Sequence, residues 1–321
     1  MHCNVCGEKK EFKHVSCSED RLFKVSGEFD LWKCGQCGAV SVDPQLSGNA
    51  LMKHYPDSYY GNYTQYYESL REKKGFLNKV KSFLKFGTLN QFFGYGKKHW
   101  WQVFLFPLYY EFAQYPKFVK GGKLLEIGSG TGGFLKLMEE IGWKVYGCDI
   151  ASIACETTKK MGLKNISCGA FEKIAYPEKE FDAIVSYHVM EHFSDPHAII
   201  QKCYEILKPG GELVISLPNS GGLPAKIFGK NWFGYHVPRH LISYNRKNLS
   251  RVLKEHNFSI ERVVTNSSLG SVVESFELMC NREWRSFRFL HKLARVLKFV
   301  FDPFADVLRT GDQLIVRARR L

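Results

Sequence analysis

The chain has 321 residues with 45 Lys+Arg against 32 Asp+Glu, a formal charge of +13, and is 45% hydrophobic and 24% charged. This composition excludes a disordered chain and a collagen-like repeat, and the length suits one large domain with a small module, or two domains. The charge is local: residues 71–120 hold ten Lys/Arg against two Asp/Glu and residues 281–321 hold ten against four, so the rest of the chain carries −1.

The opening MHCNVCG has no charged start followed by an apolar run, so it does not read as a secretory signal and the expected location is cytoplasmic. Two cysteine pairs come first, Cys3-x2-Cys6 and Cys34-x2-Cys37, with Gly7, Gly35 and Gly38 beside them. This is zinc-ribbon spacing: two tight knuckles supply four thiolates to a closed tetrahedral site, and closed sites are structural. Two disulfides or a redox dithiol are the alternatives, and six further scattered cysteines in a cytosolic chain weigh against them. Residues 1–48 are therefore expected to form a metal-held module, with Phe23, Val25, Phe29, Leu31 and Trp32 in a hairpin too small to be stable alone. Cys17 reads as a spare thiol, and Cys148, Cys155, Cys168, Cys203 and Cys280 as small buried hydrophobes.

Residues 49–118 read as a basic, aromatic-rich helical region. Fifteen of the chain's 47 aromatic residues lie within 71–120, and Phe76, Leu77, Val80, Phe83 and Leu84 recur at helical spacing with Lys79, Lys81 and Lys85 alongside. The most apolar window, Trp100 to Tyr110, is broken by Gln102 and Pro107 and is well short of the ~20 residues a helix needs to cross a bilayer.

From Lys123 the pattern alternates between strands and helices. Lys123 to Ile127 is an apolar run, Gly128-Ser129-Gly130-Thr131-Gly132-Gly133 a glycine turn, and Phe134, Leu137, Met138 and Ile141 repeat at helical spacing. Val145 to Cys148 is a second strand ending at Asp149, where a carboxylate would meet a ribose hydroxyl pair. The glycine turn alone also fits a dinucleotide-binding pattern, but Glu126 at the strand end would repel a pyrophosphate and favour a cationic ligand. Phe181 to Ser186 is a further strand leading into YHVMEH. Asp195-Pro196 opens a helix as cap and first-turn proline, and that helix stops at LKPGG before the strand Glu212 to Leu217.

With LLEIGSGTGG, the strand ending at Asp149, FDAIVSYHVMEH and LKPGGELVISLPN in this order, the sequence from about residue 119 to 321 resembles the class I S-adenosylmethionine-dependent methyltransferases. The resemblance implies an α/β, Rossmann-like sheet of seven strands with the last antiparallel, formed in part by Leu314 to Val316, and with helical insertions. It implies a cofactor loop of Glu126, Gly128, Ser129, Gly130 and Gly132. Asp149 would hold the ribose, Ile150 would pack on the adenine, Ala170 and Phe171 would edge its pocket, and His188 and Val189 would floor the site.

Hydroxyl and carbon acceptors need a base, and histidine has suitable basicity. His188 and His192 follow the fourth strand, and His236 and His240 lie in NWFGYHVPRHL after the fifth, both at the carboxyl ends of strands where ligands bind in such sheets. His236 and His192 are the first choices for the base, and Trp232, Tyr235 and Arg239 are candidates to stack on and anchor an anionic substrate. The ribbon, the core and the sequence resembling WFGxxxPRHL together resemble bacterial methyltransferases of polysaccharide and lipopolysaccharide biosynthesis. The resulting expectation is O-methylation of a small-molecule or lipid-linked glycan, glycolipid or nucleotide-sugar intermediate. A sugar C-methyltransferase and a quinone-type O-methyltransferase are the alternatives, and a nucleic-acid methyltransferase or binding module is a further one.

Ser286 to Phe301 reads as one helix ended by Asp302-Pro303, within an insertion at about 285–308. Phe289, Leu290, Leu293, Val296, Leu297, Val300 and Phe301 share one face, and Arg285, Arg288, Lys292, Arg295 and Lys298 lie away from it. Core packing is the plain explanation of such a stripe. Peripheral attachment to an anionic membrane at its inner face is the sharper one.

Overall fold

A computed structural model describes residues 2–55, 76–267, 269–282 and 287–321. Arg285 and Ser286 lie outside the described residues, as do the side chains of Phe76, Leu77, Lys79, Val80, Lys81, Arg295 and Lys298. In chain order the N-terminal part contains β1 (Phe12–Glu19), β2 (Glu28–Cys34), β3 (Val40–Asp43), α1 (Gly48–Met52), α2 (Phe76–Phe93) and α3 (Phe106–Phe112). There follow β4 (Lys123–Ile127), α4 (Gly133–Ile141), β5 (Lys144–Asp149), α5 (Ser152–Lys160), β6 (Ile166–Cys168), β7 (Phe181–Tyr187), α6 (Pro196–Ile206) and β8 (Leu207–Pro218). The chain ends with α7 (Leu223–Phe228), β9 (Ile242–Ser243), α8 (Arg246–Glu255), β10 (Phe258–Asn266), α9 (Leu269–Met279), α10 (Arg288–Leu308) and β11 (Gln313–Arg320).

The main sheet has seven strands in the order β10-β11-β8-β7-β4-β5-β6. The strands from β8 to β6 are parallel, and β11 runs antiparallel between β10 and β8. The parallel strands read as near-continuous apolar runs because helices cover both their faces: Leu124, Leu125, Ile127, Ile184, Val185, Val214 and Ile215 are all buried. Local signals set the boundaries. The Asp195 carboxylate accepts from Ala198 N at 3.0 Å where α6 starts, with Pro196 in its first turn. Asn245 and Asn248 cap the start of α8 reciprocally.

One core face joins β7, β8 and α6 to Cys3, Val5, Phe29, Leu31, Val40 and Val42 of the N-terminal module. The other packs Leu89, Phe93, Tyr109 and Tyr110 of α2 and α3 beneath β4 and β8. The N-terminal sheet is antiparallel in the order β1-β2-β3-β9. Its fourth strand comes from residues 242–243, which the cysteine spacing gave no reason to expect.

Two sequence expectations change. The helix expected to stop at Asp302-Pro303 runs through Pro303 to Leu308, because its inner face is tied to the end of β10: Asp302 Oδ1 accepts from Ser267 N at 2.7 Å and Asp306 Oδ1 from Thr265 N at 2.9 Å. Among the cysteines expected in the core, Cys148, Cys155 and Cys203 are buried, whereas Cys168 and Cys280 are exposed, lying at the ends of β6 and α9. Among the described residues, no helix is long and apolar enough to cross a membrane.

Candidate active site

The turn between β4 and α4 is built by close approach. Gly128 (φ +71°) packs so tightly that a Cβ there would lie 2.3 Å from Val189 Cγ2, and one at Gly132 (φ +80°) would lie 2.6 Å from Thr158 Cγ2. Gly130, also left-handed at φ +51°, has open space where its Cβ would be, and only glycine adopts such angles without cost. Gly130 N donates to Asp149 Oδ2 and Ala151 N to Asp149 Oδ1, both at 2.9 Å. The carboxylate at the end of β5 is thereby held in place with lone pairs to spare. Ile150, next to it, is 62% exposed.

Glu126 is buried at the end of β4, and its Oε2 has no hydrogen-bond partner among the described residues. Burial, and then the charge of Asp149, push its carboxyl well above the usual carboxylate range. Burial also raises Asp149. An unpartnered buried carboxylate beside a loop that leaves no room for side chains is a place for a cationic ligand, so these residues fit the ammonium and sulfonium charges of S-adenosylmethionine. Ala170 is half-buried at the start of the turn after β6. The Phe171 ring, beside it, is buried against Tyr176 and Lys202. Val189 lies against Gly128 as the floor of the loop.

The four histidines converge. His188 follows β7 in a left-handed conformation (φ +56°), its N–H donating to Ser216 O at 2.8 Å, and its side chain is 53% exposed. His192 Nδ1 lies 2.8 Å from Arg239 O and 3.0 Å from Tyr55 Oη. His240 Nδ1 lies 2.7 Å from Gly234 O, and the His240 ring packs edge-on to those of His192 and His236, with centroids 4.9 and 4.8 Å away. Burial lowers the pKa of all three: His192 falls, His236 falls well below its usual value with Arg239 adding to the effect, and His240 drops to about 3. An imidazole that resists protonation this strongly is a weak proton acceptor, so the arrangement weighs against His236 and His240 as bases. Of the four, His188 has the open side chain.

The expected anion anchors are placed differently. Arg239 is fully buried. Its Nη1 and Nη2 donate to Asp20 Oδ2 and Oδ1 at 2.7 and 2.9 Å, and Nη1 also donates to His54 O at 2.9 Å. With Phe23 stacked under it, its fork is filled, and it ties the loop to the N-terminal module instead of facing a substrate. Trp232, a candidate to stack on the substrate, is buried edge-on against Tyr235. Asp20, Tyr55 and Gln313, whose amide donates to Ser216 Oγ at 2.8 Å and lies 3.3 Å from His188 Nε2, have no local sequence signal linking them to the site. Only the fold brings them there.

The N-terminal cysteines form a second cluster. The four Sγ atoms lie within 4.8 Å of one another, with Cys3 to Cys37 at 3.7 Å and Cys6 to Cys34 at 3.6 Å. These are far from the ~2.05 Å of a disulfide and near the edge of about 3.8 Å for a tetrahedron with Zn–S bonds of ~2.3 Å. A hydrogen bond from the Cys37 thiol lowers Cys3 to about 5.

Sheet order, glycine turn and acidic strand ends define the class of S-adenosylmethionine-dependent methyltransferases. The chain belongs to the family described as "methyltransferase domain", whose model matches residues 98–263. Among curated proteins it is similar to ubiquinone biosynthesis O-methyltransferases. That of Maricaulis maris is 27% identical over 50% of this chain and 67% of that protein, and that of Idiomarina loihiensis is 32% identical over 31% and 43%. The chain thus spans about half the length of the curated relatives it matches. Among solved structures it is similar to an S-adenosylmethionine-dependent methyltransferase from Thermotoga maritima, with 17% identity, TM-score 0.47 and coverage of 69% and 93% of the two chains. A geranyl diphosphate C-methyltransferase from Streptomyces coelicolor gives 14% identity, TM-score 0.46 and coverage of 68% and 82%.

Proposed function

We propose that the protein transfers a methyl group to a hydroxyl oxygen, and that the acceptor is a phenol or hydroquinone of the quinone-pathway type. The observation that carries this reading is the likeness of its core to proteins named as ubiquinone biosynthesis O-methyltransferases. When bound, S-adenosylmethionine supplies a methyl group on a sulfonium, a displacement in which the protein contributes chiefly by positioning. Glu126 and the backbone of Gly128 to Gly132 hold the amino-acid end, Asp149 holds the ribose hydroxyls, and Ile150 and Ala170 cover the base. His188 accepts the acceptor's proton at the open end of β7. Cys3, Cys6, Cys34 and Cys37 hold a structural zinc, a reading supported by their sulfur separations. A glycan or nucleotide-sugar hydroxyl is the second reading, and rests on the resemblance carried by the segment Trp232 to Leu241.

The experiment is transfer of labelled methyl to catechols and hydroquinones in parallel with nucleotide-sugar and glycolipid fractions, with products identified by mass and NMR. The expected product is a methyl ether of the phenolic acceptor, and His188→Gln keeps cofactor binding while lowering kcat. Methyl found on carbon or nitrogen, or only in the sugar fractions, refutes the first reading.

A further inference from the structure

Glu191 is buried at the turn after β7, and neither of its carboxylate oxygens has a hydrogen-bond partner among the described residues. His240 Nε2 stands 3.8 Å from Oε1, too far for a hydrogen bond. Glu191, His192 and His240 each bring one ligand atom to within 4.8 Å of the others. The tautomers follow from the backbone. A carbonyl oxygen only accepts, so Nδ1 of His240, 2.7 Å from Gly234 O, and Nδ1 of His192, 2.8 Å from Arg239 O, carry the protons. The neutral rings then hold their lone pairs on Nε2. His240 Nε2 and the Glu191 carboxylate are therefore acceptors facing one another with no donor between them, an arrangement that a buried site satisfies with a cation. Backbone carbonyls accepting from Nδ1 are how metal-binding histidines are commonly fixed, and two imidazoles with one carboxylate suit a divalent transition ion. Ligand bonds of ~2.1 Å give edges of roughly 3.4 Å, a few tenths shorter than the separation from Glu191 to His240. We propose that Glu191, His192 and His240 bind a divalent transition-metal ion that joins the turn after β7 to the loop between α7 and β9. His188 Nδ1, 3.7 Å from Glu191, lines the way in.

The test uses the full chain with its cysteine site loaded with zinc, and Mn2+ as probe, because thiolate sites disfavour that hard ion. Loss of the free Mn2+ signal in electron paramagnetic resonance should report one saturable equivalent, absent in Glu191→Gln and in His240→Asn. Should either variant fold poorly, Co2+ added to the wild-type chain gives the same answer: weak d–d bands without new sulfur-to-metal charge transfer mark a nitrogen and oxygen site. No binding of either ion beyond the cysteine site, or undiminished Mn2+ binding by both variants, overturns the proposal.

A separate observation carries a second inference. Along α10, Phe289, Leu293, Val296, Val300, Phe304 and Val307 form one stripe, each between 42% and 76% exposed. Arg288, Lys292 and Arg309 of the same segment are exposed, while its acids Asp302 and Asp306 are turned inward onto β10 and its following loop. Trp100, Phe104 and Phe106 are also exposed on and just before α3, against which α10 packs. A wide apolar face bordered by cations, with its acids withdrawn, is complementary to an anionic bilayer surface. We infer that this face attaches the protein to membranes rich in anionic phospholipid. Flotation of the full chain should show salt-sensitive binding to phosphatidylglycerol vesicles and none to phosphatidylcholine, lost in Val296→Glu/Phe304→Glu with an unchanged circular dichroism spectrum. No binding at low salt, binding unchanged by those substitutions, or a dimer that the same substitutions dissociate in place of vesicle binding overturns it.

Discussion

Replacing Asp20 by Asn tests the link between the N-terminal module and the site. Asp20 is fully buried, accepts two hydrogen bonds from Arg239, lies 2.9 Å from His54 Nδ1, and also receives Phe23 N at 3.0 Å and Leu22 N at 3.2 Å. Whichever way an Asn amide is turned, its NH2 meets an N–H donor, and Arg239 is left as a buried cation without a counter-ion. Breaking such a pair from one side costs about 3–5 kcal/mol. Asp20→Asn should lower unfolding stability by that amount in urea titrations followed by fluorescence and circular dichroism. Replacing both partners by apolar groups of similar size is often nearly neutral for an isolated pair, but Asp20→Leu/Arg239→Met should recover only part of the loss, because Leu22 N, Phe23 N and His54 Nδ1 also lose their acceptor. Arg239 and its neighbours hold Asp20 below its ordinary pKa despite burial. Its stabilisation is thus complete above the unfolded value of ~3.9 and is lost as pH falls through the folded one, so wild type and Asp20→Asn should converge in acid. A loss below ~1 kcal/mol at neutral pH, the range of exposed pairs, would refute this account of the strap.

Three further outcomes are expected. Glu126 has a raised pKa, so the stability it contributes when protonated is lost as pH climbs from the ordinary carboxylate range to its folded value; Glu126→Gln should be more stable than wild type above that window in urea, yet bind S-adenosylmethionine more weakly by calorimetry. Gly128→Ala should combine a backbone cost of ~1–2 kcal/mol with ~1–3 kcal/mol of overpacking against Val189, whereas Gly130→Ala, with open space around it, should show only the first in the same assays. Cys34→Ser should abolish the zinc uptake proposed for the cysteine cluster, measured by mass spectrometry, and expose the amides of β1 to β3 to rapid hydrogen exchange.

What the sequence made legible was local. The glycine turn, the acid at each strand end, the cysteine knuckles and the cap of α6 lie within a few residues of the structure they specify, so spacing and residue type suffice. Arg239 illustrates the opposite: a basic residue in an aromatic loop resembles an anion anchor, and nothing nearby reveals that Asp20 fills its fork. The two are 219 residues apart. The same holds for Glu191, whose significance lies in histidines held by carbonyls of another loop, and for the passage of α10 through Pro303, where contacts to β10 override a local helix-stop signal. The extra turns of that helix carry Phe304 and Val307, and with them much of its exposed apolar surface.

The short strand β9 has a consequence for anyone who would cut the protein at its apparent seam. Val40 and Ser41 pair with Ser243 and Ile242, Asn245 Nδ2 donates to Cys37 O at 3.2 Å, and His197 Nε2 lies 3.2 Å from Val5 O. A fragment ending near residue 48 would expose the outer edge of β3, and one beginning there would leave the Asn245 and Asn248 amides without the Cys37 carbonyl they donate to. The cysteine-bearing segment is therefore not portable: grafted onto another catalytic domain, it would arrive without part of its own sheet.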